Sequence, residues 1–80
     1  MSEHFDRDIL GLRDKIIELS ESVAEMIEKS ISMIQNYDRI LVNEIYEAEV
    51  RINELEVDVE QQCLKILSLH QPVAKDLRFL

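Results

Sequence analysis

Two stretches of about thirty residues each carry apolar side chains at alternating spacings of four and three, and this pattern restricts the chain to long amphipathic helices. The first runs through Leu12, Ile16, Leu19, Val23, Met26, Ser30, Met33 and Tyr37, with Ile9 extending it backwards. The second runs through Leu41, Ile45, Ala48, Ile52, Leu55, Val59, Gln62, Ile66 and Leu69. Ser30 and Gln62 are the polar interruptions. Ile17, Ala24, Ile27, Ile31 and Ile34 widen the first stripe on one side, which suits a bundle helix better than a two-stranded coiled coil. Strands need turns, and turns need Gly, Pro, Asn and Asp clusters. Gly and Pro occur once each, so the chain is expected to be all-α.

The pattern predicts one helix over 6–35 and a second over 39–69. Asn36-Tyr37-Asp38 is the break, with Asn suited to end a helix and Asp38 to cap the next. So short a connection makes the two helices antiparallel neighbours. Their expected contact seam is Ile16, Leu19, Val23 and Met26 against Ile52, Leu55, Val59 and Ile66. Pro72 disfavours helical geometry at Gln71 and suits the first position of a new helix, so a third helix is expected to start over 72–80. It begins with Leu77, Phe79 and Leu80 unpaired in sequence. Residues 1–80 are therefore expected to be the N-terminal part of a larger helical domain.

Charge narrows the partners. The formal net charge is −8, which repels nucleic-acid phosphates and anionic headgroups and favours basic partners or cations. No apolar run approaches the roughly twenty residues that span a bilayer. The first residues lack the basic and apolar regions of a signal peptide. Cys63 is the only cysteine, which excludes an internal disulfide and is compatible with a reducing compartment.

One constellation could carry chemistry. Positions one after each core residue of the second helix form a neighbouring stripe whose middle is Glu49, Asn53, Glu56 and Glu60. Oxygen ligands three or four apart can share a hard cation such as Mg, Ca, Mn or Fe, with a second acidic helix completing the shell. Acids flanking a bundle seam are also ordinary solvated or ion-paired surface, and spacing alone leaves both readings open. No Glu-x-x-His pair occurs, so the di-iron signature of ferritin-like bundles is missing. His4 and His70 stand near helix ends, and Cys63 reads as a packed thiol. No phosphate loop, Cys-x-x-Cys or catalytic triad order appears, so no enzyme activity is expected.

The string Gln71-Pro72-Val73-Ala74-Lys75-Asp76-Leu77-Arg78, preceded by Ile52-Asn53-Glu54-Leu55-Glu56 and Cys63-Leu64-Lys65-Ile66-Leu67, resembles the PhoU family. His4-Phe5-Asp6 with Leu12 and the Asn36–Arg39 turn are similar to that family's opening and first interhelical turn. The resemblance implies two helices and the start of a third, out of a three-helix bundle that such proteins contain twice. It implies a cytoplasmic regulator acting by contact with a phosphate ABC transporter, its ATPase, and a sensor histidine kinase. It also implies iron or zinc, or another divalent cation, as some members of that family bind, with no metal in residues 1–80 alone as the alternative. The family's metal motif falls on Glu49 and Asn53, where Asn53 offers a carbonyl in place of a carboxylate. Glu56 is the next ligand along, Glu60 a further helper, and Asp76 a contribution from the third helix. A homo-oligomer, most simply a dimer of hairpins, is expected because two helices alone leave a wide apolar stripe uncovered. The competing reading is a helical dimerisation module without a regulatory role. A metalloenzyme is a third reading, opposed by the missing Glu-x-x-His.

Overall fold

The structure is a computed structural model and describes residues 3–70. Helix α1 spans Glu3–Gln35 and helix α2 spans Arg39–His70. The described residues are thus all-α, with the two helices packed antiparallel along their length. The longest dimension, 51 Å, is close to that of a 33-residue helix. α1 starts three residues earlier than the apolar repeat marks, because Phe5 is itself a core residue. Residues 72–80, where the third helix is expected, lie outside the described residues, as does Asp76.

The turn works as its residues require. Asn36 N–H still bonds back to the Ser32 carbonyl at 2.8 Å, and α1 stops there. The Asp38 carboxylate then accepts from the Ile40 N–H at 2.9 Å, while its own carbonyl accepts from Val42. Both are the bonds of an N-cap residue, a position where loss of the side chain costs about 1 kcal/mol.

The centre line of α1 is a strict seven-residue repeat: Phe5, Leu12, Leu19, Met26 and Met33, all buried or half-buried. Val23 is half-buried beside it. On α2, Ile52 and Ile66 are buried, with Leu55 and Val59 half-buried. The tightest packing is at the end remote from the turn. There Phe5, Leu12 and Ile66 form a cluster against which Ile9, Val59 and Cys63 pack. Ser30, the polar break in the α1 seam, is half-buried and donates to the Met26 carbonyl at 2.8 Å, so its hydroxyl is satisfied within the helix.

Ile16 is the most exposed member of the expected seam, at 37%, and lies at the edge of the interface. Positions 15 and 16 flank the centre line on opposite sides. α2 presents Asp58 on the side of Lys15, and the Lys15 ammonium pairs with that carboxylate. Lys15 therefore lies half-buried at the interface, its stem over apolar surface, and Ile16 turns to the open side. Leu69 and Tyr37, which end the two sequence patterns, are also exposed. At the end of α2 the half-buried place belongs to His70.

Candidate functional site

The hairpin has two unlike flanks. Along one, charged side chains reach from helix to helix: Lys15 to Asp58, Lys29 to Glu44 at 3.6 Å, and Arg51 to Glu18 at 2.8 Å. Lys29 also pairs with Glu25 one turn earlier at 3.2 Å. The hydrogen bond from Lys29 to Glu25, with the charges of Glu25 and Glu44, holds its ammonium pKa above the ordinary value. These pairs are part-exposed, and such pairs each contribute only about 0.2–1 kcal/mol. Their larger effect is on register, since each fixes which residues face each other.

A small polar cluster closes the end of the hairpin near the helix termini. The His70 imidazole lies 2.8 Å from the Asp8 carboxylate through Nε2 and meets the Phe5 ring edge-on, with centroids 5.3 Å apart. The hydrogen bond with His70, then the charges of His70, Lys65 and Arg7, hold the Asp8 carboxyl below its ordinary value. His70 read from sequence as a helix-end residue; nothing local pairs it with a residue 62 positions away.

The opposite flank carries no cross-helix ion pair among the described residues. From α1 it presents Ile16, Ile17, Ile27, Ile31 and Ile34, all exposed. From α2 it presents the stripe that contains the candidate metal ligands. Glu49, Asn53, Glu56 and Glu60 lie on one face, as their spacing requires, and all four are exposed.

Whether these four could hold a cation is a matter of reach. Glu49 and Glu56 stand two turns apart, about 10 Å along the axis, whereas a hard cation binds its oxygens at about 2–2.6 Å. Only neighbouring members, such as Asn53 with Glu56 or Glu56 with Glu60, can share one ion. Among the described residues, no three His, Cys, Asp or Glu side chains gather closely enough to hold a metal. α2 by itself is thus half of a site at most. Any closed shell would need oxygens from an element covering the open flank.

No helix of the described residues is long and apolar enough to cross a membrane. Cys63 is a free, half-buried thiol against the Phe5–Leu12–Ile66 cluster.

Residues 16–80 match the family model of the PhoU domain. A Burkholderia protein named phosphate-specific transport system accessory protein PhoU homolog is 30% identical over 80 residues, which is 100% of this chain and 34% of that protein. A second PhoU homolog of that system, from Methanothermobacter thermautotrophicus, is 37% identical over 65 residues, covering 81% of this chain and 30% of the relative. The phosphate-specific transport system accessory protein PhoU of Escherichia coli K12 is 25% identical over 80 residues, 100% of this chain and 33% of its own length. The chain therefore spans about a third of the length of the curated relatives it matches. No solved structure matches it at the same stringency.

Proposed function

The chain belongs to the PhoU domain family, and from that premise we propose that it is part of a regulator of phosphate uptake. The observation that carries this reading is the family match over residues 16–80, joined by alignment of the whole chain with accessory proteins of phosphate-specific transport. The regulator acts by contact and has no catalytic role. It works in the cytoplasm, between the ATPase of a phosphate ABC transporter and a sensor histidine kinase. The shape supports a contact role: a rigid antiparallel pair, sealed by charges on one flank and open on the other, offers surface for a partner.

Deleting the gene and following a phosphate-starvation reporter in phosphate-rich medium tests the proposal. Expression that no longer switches off in phosphate, restored by the intact gene, is expected. Unchanged repression and unchanged phosphate uptake overturn it. Capture of the transporter ATPase or the kinase on the intact gene product, in phosphate-replete cells, separates the two partners.

The same reading includes a divalent cation, iron or zinc among them, on the open flank. Neighbouring members of the set Glu49, Asn53, Glu56 and Glu60, such as Asn53 with Glu56, would supply its oxygens from α2, and Asp76 is the candidate for completion. Such an ion would relieve the repulsion among the α2 carboxylates and join them to the element that covers the open flank.

A second reading, a helical dimerisation module, is favoured by the exposed Ile27, Ile31 and Ile34, which a second copy would cover. A concentration-independent monomer in sedimentation equilibrium rules it out. A reversible dimer without any effect of gene deletion on phosphate response supports it over regulation.

A further inference from the structure

The outer face of α2, turned away from α1, carries a second apolar row. Val50, Val57 and Leu64 each stand two residues before a core residue (Ile52, Val59 and Ile66), about 200° round the helix from it. They are 58%, 53% and 59% exposed. Their spacing of seven residues is that of one line in a coiled-coil seam. Between Val50 and Val57 the surface dips into a shallow depression that Asn53 and Glu54 also line. This row is distinct from the open flank of α1. A helix seated beside Ile27 and Ile31 would leave it in solvent.

Its borders are acidic. Glu47 and Glu54 run along one side and Glu60 stands on the other, and none of the three forms an ion pair among the described residues. Of the basic residues nearest in sequence, Arg51 lies one turn from Glu47 and lines a surface depression with it but is tied to Glu18, and Lys65 acts on Asp8. In paired helices the charges bordering the seam select the partner. A second copy of α2 would bring the same acids to the same row, and like charges across a seam disfavour that pairing. Anionic headgroups are repelled for the same reason.

We propose that this face is a docking strip for a basic amphipathic helix of another protein, with apolar residues at heptad spacing and Lys or Arg along both borders. The proposal goes beyond the phosphate reading and stands whether or not that reading holds. Its apolar part gives affinity, and its acidic borders give choice of partner and speed of encounter.

The test uses the full chain and two synthetic helices of the same length. Both have Leu along the seam; one has Lys on its borders and the other Glu. Binding is read by fluorescence anisotropy at two salt concentrations. The Lys helix is expected to bind, more weakly at high salt, and the Glu helix to bind at least tenfold less tightly. The neutral double variant Val50→Gln/Val57→Gln should weaken the Lys helix tenfold or more. The double variant Ile27→Gln/Ile31→Gln, on the α1 flank, should leave it within twofold. Helical circular dichroism checks that each variant is folded, and Leu64→Gln alone is the milder replacement if the double variant is not. Equal affinity in the α2 variant and the parent overturns the proposal. So does loss of binding confined to the α1 variant, which would place the helix on the other flank. Self-association of the parent that the α2 variant abolishes also overturns it, because a second copy would then own the face.

Discussion

Leu12 and Ile16 occupy neighbouring rungs of one sequence repeat, yet the fold treats them differently, and truncating each measures the rotation of α1. Leu12 is fully buried between Phe5 and Ile66. Replacing it with Ala removes the methyls that close this cluster. A fully buried Leu→Ala change costs about 2–5 kcal/mol, the larger values arising where the surroundings cannot collapse. Two stiff helices held by charge pairs on one flank collapse poorly, so about 3 kcal/mol is expected for Leu12→Ala. Ile16 is already 37% exposed. Ile→Ala removes three carbons, and at about 0.8 kcal/mol per buried methylene, scaled to the part that is dry, the loss is about 1.5 kcal/mol. The better helix propensity of Ala returns several tenths, leaving about 1 kcal/mol. Urea unfolding followed by far-ultraviolet circular dichroism reads both variants, at several protein concentrations so that any self-association separates from folding. A gap of about 2 kcal/mol between them is the expected result. Equal losses, or a larger loss at Ile16, would mean that α1 is rotated and that Ile16 faces α2 after all.

Three further outcomes are expected. Gly11 lies inside α1, and a Cβ placed there meets nothing within 4 Å, so Gly11→Ala should stabilise the hairpin by about 0.8 kcal/mol; a lower melting temperature would show that the position is closer packed than this. Asp8 is held below its ordinary carboxyl pKa of 3.8, so its contribution is present above that value and is lost as pH falls through the lower folded value. Asp8→Asn should remove that part of the acid limb, whereas Lys29, raised above 10.5, should lose its contribution at the alkaline end as pH rises through its folded value; acid and alkaline melts of Asp8→Asn and Lys29→Gln that track the parent would refute both. Calorimetric titration of manganese or iron into the intact gene product should give heat that Glu49→Gln/Glu56→Gln abolishes, and equal heats would remove α2 from the metal site.

The helices and their turn were legible because each rests on local chemistry: the four-three spacing, the lack of Gly and Pro, and the capping reach of Asp38. The rotation of α1 was not legible from apolar residues alone, since Ile16 and Lys15 sit one step either side of the centre line. The charges carry that information. Lys29 stands seven residues before Asn36 and Glu44 seven after Tyr37; Lys15 and Asp58 stand twenty-one before and after the same two residues. Asp8 and Lys65, at twenty-eight, are opposite in sign as well, and Lys65 indeed lowers the Asp8 pKa. A hairpin folded at Asn36-Tyr37 brings each of these pairs level and so marks the charged flank, although Arg51 and Glu18 pair off this register and Arg13 and Glu60, opposite in sign at twenty-three, form no ion pair among the described residues. The pairing of His70 with Asp8 is not legible even so, because Leu69 continues the apolar spacing and the Phe5 ring that His70 meets is far away in sequence. For the candidate metal ligands, spacing gave the shared face, but closure of a shell depends on residues that no periodicity within α2 can bring near.

The arrangement of charge explains why an excess of −8 is compatible with a packed pair of helices. Were the acids spread evenly, their repulsion would oppose burial all round the hairpin. Instead Lys15, Lys29 and Arg51 are spent on one flank, where they balance Asp58, Glu44 and Glu18. Glu49, Glu54, Glu56 and Glu60 make no ion pair among the described residues and gather on the other sides of α2. α1 lacks a matching acidic stripe on its open side and offers aliphatics there. The hairpin is therefore polarised across its width: an approaching element meets apolar surface from α1 and negative charge from α2. Something that satisfies both must bring apolar side chains together with cations, whether as Lys and Arg or as a bound metal. A purely apolar helix would leave the carboxylates of α2 to be desolvated without compensation, and a purely polar one would leave Ile27, Ile31 and Ile34 in water.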